Sequence, residues 1–236
     1  MTLTPLTPAD HANQPITALQ VKSFHDACLS LASWPKTAVD FVEADVWRWV
    51  ATNHRNNCLL WDEEDLARRT RATDADITAN KRAIDGYNQA RNDATERVDE
   101  FLLLSLGLID AATASSDQPV AKVSAAARLN SETAGSIMDR MSIMSLKIKA
   151  MTAQTLRTDV DAAHRDSSAL KLQRLHEQRN DLGACLDQLL ADSRAGDAYF
   201  KVYRQFKMYN DPRFNPVLVA EQAAAKAQQQ ARSAQQ

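Results

Sequence analysis

Apolar side chains recur every three or four positions along most of this chain, and the recurrence breaks only at a few Pro, Gly and Ser clusters, which points to long helices. A first helix is predicted from Ile16 to Trp34, with Leu19, Phe24, Cys28 and Leu31 on its inner face and Pro35 ending it. A second runs from Asp40 to Arg69. Its stripe of Trp47, Val50, His54, Cys58, Trp61, Asp65 and Arg68 spans about 100° of helix surface, so apolar and ionisable residues share one face. Thr73 and Asp76 form a capping box for a third helix reaching Ala112, with Ile77, Lys81, Ile84, Asn88, Arg91, Thr95, Val98, Leu102, Leu106 and Ile109 on its core stripe. Residues 113–131 form a connection with a short helix over 120–129. A fourth helix starts between Ser131 and Ser136. It carries Ile137, Met141, Met144, Ile148 and Met151, with Ile143 and Leu146 on another side, so it should be central. A fifth, from Asp161 to Asp192, aligns Leu172, Leu175, Arg179, Leu182, Leu186 and Leu189. Gly196 then breaks the chain before a short aromatic helix that Pro212 and Pro216 terminate.

Only 5 glycines and 7 prolines accompany 44% hydrophobic residues, a balance that favours helix over turn-dense sheet. The predicted fold is all-α, a bundle built on two long antiparallel helical hairpins with additional N- and C-terminal helices. Residues 1–14 are expected to be a flexible arm, 15–218 a single helical domain, and 219–236 an Ala/Gln-rich tail, a frayed helix with little to pack.

Lys and Arg number 28 against 30 Asp and Glu, so no overall field draws nucleic acid or an anionic membrane. Lys201, Arg204, Lys207 and Arg213 interleave with Tyr203, Phe206 and Tyr209, but aromatics at helical spacing dock on a core, and nucleic acid is not an expected partner. Cys28, Cys58 and Cys185 are odd in number and form no C-x-x-C, which suits reduced thiols acting as small core residues. The N-terminal residues lack a basic start followed by an apolar run, and no stretch approaches the ~20 apolar residues that span a bilayer. A cytoplasmic protein without membrane insertion is expected.

Helices two and three close over about four residues, so positions summing to roughly 143 face each other. Asn53, His54 and Asn57 then approach Asn88, Arg91 and Asn92. In the hairpin of helices four and five, facing positions sum to roughly 319, bringing Asp139 and Arg140 to Arg179 and Asn180. The hairpins echo each other: Gln89-Ala90-Arg91-Asn92-Asp93 returns as Glu177-Gln178-Arg179-Asn180-Asp181, with Asp99 and Asp187 at matching places. Both polar sets lie roughly 27 Å from their turns at 1.5 Å per residue, so an antiparallel fourth helix puts them at one height. Unpaired charge in such a layer would be costly. Either the groups fix helix register among themselves, for instance Arg140 with Asp181, or they form a pocket for a phosphate- or carboxylate-bearing anion gripped by arginine forks. His54 would be its natural general acid or base.

Asp62-Glu63-Glu64-Asp65 and Glu96-x-x-Asp99 invite comparison with helical, magnesium-dependent nucleotide pyrophosphohydrolases, which hold metal through acidic pairs on facing helices. The register sets these pairs roughly 27 Å apart along the hairpin. A magnesium site at Asp62 and Asp65 therefore needs helices from other hairpins or subunits, and Asp65 is predicted to pair with Lys81. No Gly-rich phosphate loop, G-x-S-x-G, H-E-x-x-H or zinc spacing is present. His25, His164 and His176 are read as surface or core-edge residues.

A set of motifs carries a family resemblance: Asn53-His54-Arg55, Leu60-Trp61-x-Glu63-Glu64-Asp65-x-x-Arg68, Lys81-Arg82-x-Ile84-Asp85-x-x-Asn88-Gln89-x-Arg91-Asn92-Asp93, Asn130-Ser131-Glu132-Thr133, Asp139-Arg140-Met141-Ser142-Ile143 and Lys207-Met208-Tyr209-Asn210-Asp211-Pro212. Over roughly Val21 to Pro216 the chain resembles an uncharacterised bacterial family, domain of unknown function 4254. The resemblance implies a helical bacterial protein and assigns no activity. It also implies a link to sugar-nucleotide or envelope glycan metabolism, through neighbouring genes for envelope glycosyl transfer. Ala134 stands where the family pattern is expected to have Pro, which leaves the start of helix four open.

The favoured expectation is a binding or accessory protein whose central polar layer holds a small anionic ligand. The alternatives are a metal-dependent enzyme acting on a phosphorylated or nucleotide-linked metabolite, using His54 and the Asp62/Asp65 pair, and a purely structural or interaction protein.

Overall fold

The computed structural model describes residues 15–37, 46–205 and 213–233, so the predicted N-terminal arm and the start of the second helix lie outside the described residues. The chain forms two compact units, one through Tyr203 and one from Arg204. The first is an all-α bundle of α1 (Ala18–Ser30), α2 (Val46–Ala67), α3 (Asp74–Ser105), α4 (Ala134–Thr155) and α5 (Ala162–Ala195), with two short strands, β1 (Arg128–Leu129) and β2 (Ala198–Tyr199). The second contains α6 (Pro216–Ser233).

Helix starts follow side chains that satisfy the free N–H groups of a first turn. Thr73 and Asp76 close the predicted capping box on α3, Thr133 caps α4 and Asp161 caps α5. Thr17 and Gln20 form a further capping box on α1. The α2–α3 and α4–α5 pairs make the most extensive helix contacts in the bundle, and α4 also packs on α1, α2 and α3. This is the central position that its apolar residues on two sides predicted. The core gathers Val21, Trp47, Val50, Val98, Leu103, Ile137, Met141, Leu186, Leu190 and Phe200.

Four expectations are corrected. Helix α3 stops at Ser105 because Gly107 takes φ +68°, a left-handed conformation open to glycine. Leu108 and Ile109 stay buried, but in extended chain that pairs back on residues 120–122, where a helix was expected. After Gly196 the chain forms β2 parallel to β1 instead of an aromatic helix. Ala198, Phe200 and Val202 are buried and alternate with less buried neighbours, a strand-like period of two. Pro216 opens α6 rather than closing a helix, with Asn215 accepting from the N–H groups of Val217 and Leu218.

The fourth correction concerns α1. It turns Val21, His25 and Cys28 inward, while Leu19 and Leu31 are exposed.

Candidate functional site

One face of α2 presents Asn53, His54, Asn57 and Cys58, all buried. Positions i, i+1, i+4 and i+5 lie side by side on a helix, and here they meet α4. Asp139 Oδ1 accepts from Asn53 Nδ2 and Asn57 Nδ2, each at 2.8 Å. Asn53 Nδ2 also reaches Thr95 Oγ1 on α3 at 3.0 Å. The predicted register placed Asn53 level with Ala90, so the contact falls more than one turn further along α3. At the other end of the same hairpin Asn80 Nδ2 donates to Glu63 Oε2 at 2.6 Å, as that register requires.

His54 Nδ1 lies 2.7 Å from Ser142 Oγ, which also accepts from Asn57 Nδ2 at 3.0 Å. With Ser142 as the hydrogen-bond partner of Nδ1 and the ring buried, His54 is held as a neutral imidazole. Burial pushes its pKa down to about 3. The His25 backbone acts in the opposite direction without giving Nε2 a well-formed hydrogen bond, and Lys149 lowers the pKa further. The ring is sandwiched between His25, at 4.4 Å between centroids, and Trp34, at 5.5 Å.

His25 was read as a surface or core-edge residue, yet it is fully buried and neither ring nitrogen has a partner. Burial first, then His54 and Arg179, holds its pKa well below the usual histidine range. It stands on the Val21/Cys28 face of α1, and that helical spacing was the overlooked signal of an interior position. Burial likewise raises Cys28 to about 12 and Cys58 to about 11, so both thiols stay protonated; the Cys58 sulfur accepts from the Trp34 indole at 3.2 Å.

The predicted layer is only partly assembled. Arg179 is buried, but its partners are Asp26 on α1, at 2.6 Å, and Ser145, at 3.0 Å, rather than Asp139. Arg140 points outward and pairs with Glu132, not Asp181, and Asn180 is an exposed acceptor for Lys22. Lys81 pairs with Asp85, and Asp65 lies 3.7 Å from Arg68, so the expected Asp65–Lys81 pair does not form. Asp26, Ser142 and Ser145 were not among the predicted site residues.

Arg91, Asn57 and Asn88 do come together, on the wall of a cleft of about 330 Å³ between α2, α3 and α4. Leu60, Trp61, Glu64, Asp65 and Arg68 of α2 and Ile143 and Leu146 of α4 complete it. Arg91 donates to Asn92 Oδ1, from Nη2 at 2.9 Å, and among the described residues the carboxylate oxygen within its ion-pair reach, on Asp139, is 3.9 Å away. Arg68 is held by Glu64 at 3.0 Å. His54 does not line this cleft. Asp62 is exposed, and its carboxyl is raised by partial burial and by Asp65. Among the described residues no three His, Cys, Asp or Glu side chains converge as metal ligands. Nor is any described helix long and apolar enough to cross a membrane.

The polar seam of Asn53, His54 and Asn57 on Asp139 and Ser142, and the cleft, are built from a stretch that matches a known sequence family, Protein of unknown function (DUF4254), over residues 47–202, more than half of the chain. The chain belongs to this family. The DUF4254 region contains α2 to α5 apart from the first residue of α2, whereas α1 and the Lys207–Pro212 motif fall outside it. No curated protein and no solved structure matches the chain.

Proposed function

We propose that the protein is a cytoplasmic binding or accessory protein that holds a small phosphate- or carboxylate-bearing ligand in the cleft beside Arg91. Arg91 carries this reading. Its side chain is 25% exposed on the cleft wall, and among the described residues the one carboxylate within ion-pair reach of it, Asp139, is 3.9 Å away and already accepts from two asparagines, while the cleft's Glu64 is held by Arg68. A guanidinium so placed has capacity for an anion, which it can grip through two parallel N–H bonds. Asn57 and Asn88 add amides, while Trp61, Leu60, Ile143 and Leu146 suit a compact apolar or sugar-like body. The ligand class to screen first is phosphorylated sugars, in keeping with a role in envelope glycan metabolism. The three free thiols fit a reducing compartment.

A thermal-shift and calorimetric screen of inorganic phosphate, sugar phosphates and nucleotides tests it, because a ligand that binds only the folded form raises its midpoint. Binding should be lost in Arg91→Ala and partly kept in Arg91→Lys. The enzyme alternative draws on the raised Asp62 carboxyl beside Asp65. It predicts that any ligand shift requires magnesium and disappears in Asp62→Asn and Asp65→Asn. If no ligand shifts the midpoint with or without magnesium, the purely structural alternative stands.

A further inference from the structure

A second cleft, of about 440 Å³, lies between α4, α5 and the far end of α2, and its lining differs in kind from the first. Its charged residues are Lys147 on α4 and Lys171 and Arg174 on α5, with no carboxylate among its walls. Lys147, Ala150 and Met151 share one face of α4, and Lys171, Arg174, Leu175 and Gln178 share one face of α5. Hairpin packing turns these two faces towards a common groove, in which Met151, Leu175 and Trp61 are half-buried and Lys147, Lys171 and Arg174 are exposed, so the apolar residues form its floor and the cations its rim.

Lysines on a solvated helix face ordinarily sit among carboxylates of the same face. Here none of the three cations pairs with a carboxylate among the described residues. The groove therefore combines uncompensated positive charge at its rim with an apolar floor, and its walls supply no negative group to answer it. An inorganic anion would leave the floor wet, and a neutral apolar molecule would leave the rim unanswered. A molecule that satisfies both has an apolar body and one anionic group. Trp61 and Met151 favour an aromatic body, through offset stacking and sulfur–ring contact.

We infer that the α4–α5 groove is a binding site for a soluble aromatic anion, a flat ring system bearing one phosphate, sulfonate or carboxylate. The ring lies on Met151 and Leu175 against the Trp61 indole, and the anion meets Lys171, Arg174 and Lys147. The site is separate from the Arg91 cleft, although Trp61 lines both.

Naphthyl phosphate titrated into the full chain by calorimetry tests this, with naphthol and inorganic phosphate as controls. Saturable one-to-one binding is expected for naphthyl phosphate, and binding at least about tenfold weaker for each control, a factor that corresponds to 1.4 kcal/mol. The double reversal Lys171→Glu/Arg174→Glu, at two exposed positions, should weaken binding at least about tenfold. Lys147→Gln should weaken it less, and Arg91→Ala should leave it unchanged. Circular dichroism confirms that each variant remains folded, and Lys147→Gln alone decides if the double reversal does not fold. The inference is overturned if naphthol binds as tightly as its phosphate, or if affinity survives loss of these cations. It is equally overturned if only Arg91→Ala abolishes binding, or if the protein binds phosphatidylglycerol vesicles but not the free aromatic anion.

Discussion

Asp99 on α3 accepts a 2.6 Å hydrogen bond from the backbone N–H of Gly135, in the first turn of α4, and so ties the two helical hairpins together at a fully buried point. The Thr133 side chain binds the same carboxyl. A carboxyl group beside a helix N-terminus complements the dipole there and fills one of its free N–H groups.

Gly135→Ala should test how close that junction is. A Cβ at this position would stand 2.6 Å from the Thr95 carbonyl oxygen and 2.9 Å from Asp99 Oδ1, one of them backbone. Helix α4 would have to move off α3. We expect a loss of about 2–3 kcal/mol in urea unfolding, and an unchanged midpoint would show that the contact is looser.

Asp99→Asn should change how stability depends on pH. Burial pushes the folded Asp99 carboxyl up to about 7 from 3.8, against the pull of Thr133 and Gly135. Between those values the folded state binds the extra proton, so this group's stabilising contribution is present below pH 3.8 and lost as pH rises through 7. Asparagine cannot ionise. The variant's midpoint relative to wild type should therefore rise as pH goes from about 3.8 to about 7 and level off above that.

Acid should act on the histidine stack in the opposite sense. An unfolded histidine takes its proton near pH 6.5, whereas folded His54 waits until about 3 and His25 is also depressed. In that window the unfolded chain binds more protons, so stability falls as pH drops from 6.5 towards 3. Because neither ring nitrogen of His25 is hydrogen-bonded, His25→Leu should stay within about 1 kcal/mol of wild type at pH 7.5 and show a shallower acid limb. A strongly destabilised variant would mean that the ring is satisfied by internal water.

The Arg179–Asp26 pair should respond asymmetrically to its two deletions. The Arg179 side chain is 9% exposed and that of Asp26 50% exposed. Asp26→Ala strands a buried guanidinium with Ser145 as its remaining partner, at a cost of about 3 kcal/mol. Arg179→Met leaves a carboxylate that water can solvate and fills the vacated space, so about 1 kcal/mol or less is expected. Equal losses in chemical denaturation would contradict the burial difference.

The helices were legible where local chemistry sets them. Thr73 and Asp161 marked the starts of α3 and α5, the Thr133 cap falls within the 131–136 window given for α4, and the apolar stripes of α4 and α5 predicted which residues lie inside. Legibility failed where a tertiary partner decides. The apolar stripe of α3 continues past Gly107 although the helix does not, because the buried Leu108 and Ile109 are supported by the 120–122 segment instead. Arg91, Asn57 and Asn88, grouped by the hairpin reading, do line one cleft, although the contact of Asn53 with Thr95 shows the register there shifted by more than a turn. Arg179 found Asp26 because α1 packs on α4 and α5, a contact that register within the hairpins does not encode.

Helix α1 lies outside the stretch matched to the family, yet it supplies His25 over His54, Asp26 to Arg179, and the Ala18 N–H to Asp187. It is a stopper seated on the polar seam. Two side chains that belong to the family region, His54 and Arg179, are kept from water by a segment that does not. A version of this protein cut back to the matched residues would present an imidazole and a guanidinium at its surface, and would be a chemically different molecule despite carrying every residue of the family region.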